Sequence, residues 1–311
     1  MPAEFSQNLR DIEFVNNVTM VLQQEPGILY PLAGMTMSGE GSTEVKIEDR
    51  FGQMTLGRKT ERNGDTNYVD VQNTRRFAKK PGSYDVATLI DRNDVKSTSV
   101  DPKSPLVMAA AMATKKYHDD QFLVGWWGNA WEGVSSATTA VPFTSGNKIA
   151  VDLEVSGTNT GLTLAKLKEL KRQLQKSNVN FRQEQPIILL DPDAEVDLFG
   201  ITEYVNYFYN DKKPLVDGEL KPFMGFRFLT ANLGDAVAYP EAAALFKPSS
   251  VNRLPVIVPS GIARVVWTEF FGRVEPNMNK KYSEQIYAEA EATVVRTDEK
   301  KAWYIETRPL S

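Results

Sequence analysis

The chain has 311 residues, with 36 Lys plus Arg, 40 Asp plus Glu and no cysteine, for a formal charge of −4. A length of this order gives about two domain-sized units with at least one sizeable core, and the charge balance excludes a global basic field that would hold nucleic acid. The missing thiols exclude disulfides, thiolate metal sites and cysteine nucleophiles and fit a reducing cytoplasm, the start MPAEFSQNLRDIEF carries no signal-peptide pattern, and no run reaches the roughly 18 apolar residues of a membrane span.

In chain order, NLRDIEFVNNVTMVLQQ predicts an amphipathic helix with Ile12, Val15, Val18 or Thr19, and Leu22 on one stripe, broken by EPGILYPLAG. Val45 and Ile47 alternate with charges from Glu44 to Glu48, which predicts a strand. It enters RFGQMTLGRKTERNGDTNYVDVQNTRRFAKK, Arg50 to Lys80, a polar stretch centred on Asn63-Gly64. Asn-Gly is the strongest short-range signal for a two-residue hairpin turn. With these residues at the turn, Arg62 faces Asp65 and Leu56 faces Val71, a salt bridge beside the turn and an aliphatic pair below it. The arm has too few apolar residues to bury itself, and a lone two-stranded ribbon is marginal in water. SYDVATLID, 83 to 91, reads as the strand leaving the hairpin.

After DPKSP, where Asp101 or Ser104 is placed to cap, an Ala- and Met-rich helix runs to about Val124. The Ser-, Thr- and Gly-rich stretch SSATTAVPFTSGNKIAVDLEVSGTNTG allows at most short strands. LTLAKLKELKRQLQKSN then places Leu164, Leu167, Leu170 or Lys171, and Leu174 on one helical face, closed by Asn178. PIILLDPD, a short apolar run between prolines, reads as a buried strand that opens a central α/β unit. Short helical segments in EVDLFGITEYVNYFYN and strands in FMGFRFL, RLPVIVPS and ARVVWTEFF follow. Finally QIYAEAEATVVR alternates Ile286, Ala288, Ala290, Ala292 and Val294 against Tyr287, Glu289 and Glu291, turns at TDEKK and returns as AWYIET. The expected ending is a two-stranded ribbon with one buried face.

Four groups have chemical potential. His118, the sole histidine, is followed by Asp119 and Asp120, but consecutive helical residues point to different sides, a poor metal geometry, so a surface or interface histidine is expected. Asp191, Asp193, Glu195 and Asp197 follow the buried strand, where carboxylates could do acid–base work on a glycoside. The alternative is a proline turn before a helix whose first-turn acids suit its dipole, and no phosphate loop or metal cluster accompanies them. Trp126, Trp127 and Trp131 suit core and subunit-contact packing or the stacking of sugars and bases. Lys166, Lys168, Lys171, Arg172 and Lys176 read as the solvated face of the second helix, with a local nucleic-acid contact as the alternative.

RNGDTNYVDVQNTRR, with Arg62, Gly64, Asp65, Thr66, Asp70, Arg75 and Arg76, together with LIDRNDV and DP before the long helix, GN after it and GLTLAKLKELKRQL, resembles one branch of tailed-phage major capsid proteins with the Hong Kong 97 (HK-97-like) fold. The resemblance implies an α+β chain with an N-terminal arm (1–42), a long β-hairpin E-loop with flanking strands (43–91), a peripheral domain with a long spine helix (92–185), a central α/β axial domain (186–274) and C-terminal strands of the peripheral domain (275–311). It implies a non-enzymatic major capsid protein without cofactor, catalytic or metal residues, self-assembling as pentamers and hexamers into an icosahedral virion shell around double-stranded DNA. An arm that cannot bury itself can do so on a neighbour, with Arg58, Lys59, Arg62, Gly64, Asp65, Asp70, Arg75 and Arg76 as intersubunit contacts; the alternative is that these residues only stiffen the ribbon.

The implied partners are other copies of the chain, a separate scaffolding protein and a portal, with the presence of a decoration protein left open, assembly in the bacterial host cytoplasm, no sequence-specific DNA binding and no membrane. The roughly fifty residues before the hairpin are too short a lead for a scaffolding domain, so no maturation cleavage is expected. Covalent cross-linking through Lys59 is not expected, because such a bond needs a pre-aligned buried acid. The rival readings are an encapsulin-like nanocompartment shell protein and, in a different class, a carboxylate-dependent hydrolase centred on Asp191 and Asp193.

Overall fold

The apolar run after Pro186 forms strand β8 (Ile187–Leu190), and all four side chains are buried. Successive strand residues face opposite ways. Accordingly Ile188 and Leu190 join one core, with Leu167, Leu170 and Leu174, while Ile187 and Leu189 join another, with Phe122, Leu123 and Trp126. A strand without a polar face belongs at the centre of a layered sheet. In this computed structural model, which describes residues 27–52, 54–56, 58, 68, 71, 73–91, 103–134, 137–154, 156–205, 220–248 and 251–308, β8 lies within a five-stranded sheet. The sheet order is β7 (Lys148–Ile149), β13 (Trp303–Thr307), β10 (Asn252–Ile257), β8, β9 (Arg227–Thr230). Helix α1 (Lys103–Trp127) packs on one face and helices α2 (Leu164–Lys176) and α3 (Pro192–Phe199) on the other.

The sequence explains α2 locally. Thr163 caps its start, its hydroxyl accepting the Lys166 N–H, and Asn178 adopts the left-handed conformation (φ 62°) just past its end, as expected. Helix α1 also crosses a second sheet, in the order β1 (Met35–Ser38), β11 (Ile262–Asn277), β12 (Ser283–Arg296), β4 (Tyr84–Ile90). Gly125 permits this approach, since a Cβ there would stand 2.2 Å from the Val294 carbonyl oxygen. A third sheet orders β2 (Glu44–Phe51), β3 (Asn73–Lys79), β5 (Ala130–Val134) and β6 (Ala137–Val141).

Three expectations are corrected. The strand that returns from the arm is β3, not 83–91; β4 leaves for the second sheet and pairs with β12. The polar look of β3 hid Phe77 and Ala78, which are buried. The arm register also differs. A continuous ladder closed by Asn63-Gly64 would set Phe51 opposite Arg76, whereas Phe51 pairs with Asn73 and Glu48 with Arg76, an offset of 76 − 73 = 3 residues. Neither Leu56 nor Val71 belongs to a strand, and a bulge between Lys46 and Glu48 already shifts the pairing. Finally, β12 and β13 do not pair with each other. The turn at Glu299–Lys301 carries the chain from the second sheet to the five-stranded one, because every residue of β13 is buried, which a ribbon with one wet face could not provide. Residue 274, taken as a domain boundary, falls inside β11.

The predicted N-terminal helix, the Asn63-Gly64 turn, Lys59, Arg62, Asp65, Asp70 and the Asp101 and Ser104 caps lie outside the described residues and side chains.

Candidate assembly interface

The base of the arm is held by charges along its own ladder. Arg75 Nε lies 2.8 Å from Asp49 Oδ1 and Lys46 Nζ 2.8 Å from Asp49 Oδ2; these contacts, led by the Lys46 hydrogen bond, hold the Asp49 carboxyl below its ordinary range. Arg50 reaches Asp298 at 3.4 Å, and Lys79 Nζ sits 3.6 Å from the centre of the Trp131 ring. Arg76 was expected at the interface but is 2% exposed. Its Nη2 lies 3.4 Å from Glu299 and 3.8 Å from Glu132, and Glu299 also takes the Nε of the fully buried Arg296 at 2.8 Å. Arg296 in turn donates to the carbonyls of Trp126, Gly128 and Val141. Arg76 is therefore a fastener inside the subunit, tying the arm's base to the turn between β12 and β13.

Above this base the character reverses. Phe51 and Met54 are each 71% exposed, Leu56 and Tyr68 are almost wholly exposed, and Arg58 is exposed beside them. Exposed apolar side chains grouped on one stretch make it a candidate contact surface.

The spine helix α1 ties other segments together through the three residues read as a possible metal triplet. Asp119, buried, accepts the N–H groups of Gly27, Ile28, Leu29 and Tyr30 at 2.7–3.0 Å; burial pushes its pKa up against those four bonds. Asp120 accepts from the Glu241 and Ala242 N–H groups. His118 is buried, not at the surface, with Nε2 2.7 Å from the Glu269 carbonyl, and burial pushes its pKa down. Each side chain does point a different way, and each fixes a different segment. Asp119→Asn turns an amide NH2 toward donors and is expected to cost about 2 kcal/mol, read as a lowered melting temperature of the unassembled subunit.

The basic face of α2 is only partly solvated. Arg172 is exposed and pairs with Glu169 at 2.6 Å, but Lys166 is fully buried, its Nζ donating to the carbonyls of Thr160, Gly161 and Glu306 at 2.8–2.9 Å. Three converging carbonyls can hold an ammonium that water would otherwise solvate. Burial pushes the Lys166 pKa down from 10.5 to about 8. Between these values the unfolded chain binds more protons, so this contribution to stability is full above pH 10.5 and is lost as pH falls through 8. Wild type is thus expected to gain about 2 kcal/mol relative to Lys166→Met between pH 8 and 10, measured by urea unfolding; parallel profiles would refute it.

The carboxylates after β8 do not form a catalytic pair. Asp191 is buried 2.7 Å from Lys247 Nζ; burial pushes its pKa up and Lys247 opposes this. Glu195 accepts from the Thr230 hydroxyl at 2.6 Å and Asp197 from the Leu162 N–H at 2.9 Å. Asp193 and Glu195 occupy the first turn of α3, where they suit its dipole. Trp126 is buried, and Trp127 stacks on Phe143 with centroids 4.9 Å apart, so these two rings are core. Among the described residues no cluster of His, Asp or Glu could hold a metal, and no helix is long and apolar enough to cross a membrane.

Two sheets packed on a 25-residue spine helix, a third joined to them through β12, polar groups engaged in fastening segments, and an arm whose apolar side chains no described part of the chain covers define a structural shell protein of the HK-97-like fold. The phage capsid protein family matches residues 7–308, and the chain belongs to that family. No curated protein sequence matches it. Its structure is similar to the capsid of cyanophage P-SCSP1u (12% identity, 97% of this chain and 94% of that chain, TM-score 0.68), to the mature capsid of bacteriophage PhiM1 (14%, 96% and 92%, 0.67) and to the head of Helicobacter pylori bacteriophage KHP40 (10%, 94% and 94%, 0.67). The function is that of a major capsid protein, in a family of structural, non-enzymatic proteins. The hydrolase reading fails on this membership and on the engaged state of Asp191.

Proposed function

We propose that this capsid protein assembles as pentamers and hexamers into a closed icosahedral shell around double-stranded DNA, with the arm making contacts between subunits through Arg58, Lys59, Arg62, Gly64, Asp65, Asp70 and Arg75. The observation that carries this reading is the run of exposed Phe51, Met54 and Leu56, which no described part of the chain covers. Obligate interfaces of about 2,000 Å² or more would supply that cover. The formal charge of −4 suits a container that does not grip its DNA. A separate scaffolding protein and a portal complete the particle, which forms in the cytoplasm of a bacterial host. Family membership favours this over a nanocompartment. The test is negative-stain microscopy of the chain expressed alone and with its neighbouring genes. Hollow shells or capsomer-sized rings are expected from the chain alone and DNA-filled particles from the set; a monomer under both conditions refutes the reading, and a protein cargo in place of DNA restores the nanocompartment.

A further inference from the structure

His118 is the sole histidine of the chain, and it is only 4% exposed on helix α1. Its Nε2 lies 2.7 Å from the Glu269 carbonyl oxygen, which can only accept, so Nε2 carries the proton and Nδ1 is bare in the neutral ring. Nδ1 is buried too and meets no hydrogen-bond partner among the described residues. Glu269 stands at an irregular point of β11. The ladder to β12 shifts register between Val266 and Thr268 and again between Thr268 and Phe271, so Glu269 and Phe270 fall outside the paired register. Beyond that point the strand changes character. From Ala263 to Val266 it pairs with both β1 and β12, and from Phe271 to Asn277 it pairs with β12 alone among the described strands, with Phe271 and Val274 exposed. The His118 bond therefore fastens the root of an exposed edge ribbon to the spine.

The surroundings suit a neutral ring and not a cation. The rings of Tyr30 and Tyr117 lie 5.7 and 5.5 Å from that of His118. Arg264, a like charge, is buried over the Tyr30 ring with its Cζ 4.6 Å from the centre. Two carboxylates favour the protonated ring, but both are engaged, Asp119 by four backbone N–H groups and Glu269 by Arg264 at 3.1 Å. Burial outweighs them and pushes the His118 pKa down, with Arg264 adding to the effect. We infer that His118 is an acid-released latch, which when neutral holds the β11 bulge and the edge ribbon beyond it against α1, and when protonated turns out to water and lets the ribbon loosen. Protonation places an N–H at Nδ1 with no acceptor in reach and a charge near Arg264, a cost that one bond to a carbonyl does not offset. Since the folded site disfavours the protonated ring, the unfolded chain binds more protons. The latch is complete above the ordinary histidine pKa of about 6.5 and is lost as pH falls through the lower, folded value.

A single histidine makes the site readable without ambiguity. In the untagged, unassembled chain, the imidazole proton resonance is followed by NMR against pH, and hydrogen exchange is followed by mass spectrometry with correction for intrinsic rates. The NMR midpoint is expected below about 6.5. Between about pH 7.5 and about pH 5, protection across Phe270–Asn277 should fall roughly tenfold or more, at the NMR midpoint, while β8 and α2 keep theirs. His118→Gln retains an N–H for the Glu269 carbonyl and cannot titrate, so its ribbon should stay protected at both pH values. Glu269→Gln, at a side chain 60% exposed, keeps the carbonyl and removes a carboxylate that favours the cation. Its NMR and exchange midpoints should move together to lower pH, a readout that holds even if His118→Gln fails to fold. A histidine that titrates at or above 6.5, a ribbon that loosens equally in His118→Gln, exchange and NMR midpoints that part in either protein, or a loss of protection spread evenly over the chain overturns the latch.

Discussion

Replacing residues 56–71 with a short Gly-Ser turn is expected to yield a soluble, folded subunit that no longer closes shells. Leu56 is wholly exposed, and neither it nor Val71 appears in a core cluster. The cut also lies beyond the last ladder pair among the described residues, Phe51 with Asn73, so the packing described for the arm's base is kept. That base includes Ile47 and Ala78, in contact with Ala130, Ala263, Val265 and Val295. The melting temperature of the unassembled subunit should therefore stay within a few degrees of wild type, since surface changes usually move stability by about 0.5 kcal/mol. Assembly should fall to background because each copy loses a contact strip toward its neighbour, and lost interface area is multiplied over every copy of a closed shell. Circular dichroism melts, with sedimentation and microscopy on the same preparation, separate the two effects. Normal shells from the trimmed chain would show that the arm does not make the contact, and an unfolded trimmed chain would place it in the subunit's own core.

What could be read from sequence divides along the range of the forces. Strand β8, helix α2 with its Asn178 stop, the spine helix and the inward alternation of Ile286, Ala288, Ala290, Ala292 and Val294 rest on periodicity within a dozen residues, and each forms as expected. Pairing between distant segments is not written locally. The partner of β13 is β10, and β4 joins β12 across nearly two hundred residues of chain, so local alternation could not choose between a ribbon and two sheets. The buried charges were missed for a related reason. Lys166 continues the Leu170 and Leu174 row at four-residue spacing, a signal available in the sequence that its charge obscured. Arg76 gave no such signal, because Glu132 and Glu299, the residues that make its burial tolerable, are remote in sequence. In the arm, the resemblance supplied the element, while the exposure of Met54 and Leu56 depends on which distant segments reach them and is not written locally.

The two neighbouring arginines of β3 are expected to behave oppositely when reversed. In Arg76→Glu a third carboxylate enters the buried space already shared by Glu132 and Glu299, and Arg296 is left as the cation recorded in contact with Glu299. Removing one side of a buried ion pair costs about 3–5 kcal/mol, and reversal adds repulsion. Against a typical total of about 5–15 kcal/mol, this leaves a marginal fold. The subunit should melt far below wild type or remain insoluble, and the loss of shells would follow from the loss of fold. Arg75 is 46% exposed and pairs with Asp49 inside the arm's own ladder, so Arg75→Glu should cost about 0–1 kcal/mol. If Arg75 also meets a neighbour, its reversal weakens assembly at an unchanged melting temperature. Arg76→Met, which keeps bulk and removes charge without adding a third carboxylate, should fall between wild type and Arg76→Glu. The order of melting temperatures, Arg75→Glu above Arg76→Met above Arg76→Glu, is the reading to make on the soluble subunit. An Arg76→Glu subunit that melts like wild type yet fails to build shells would overturn the internal role and return Arg76 to the surface between subunits.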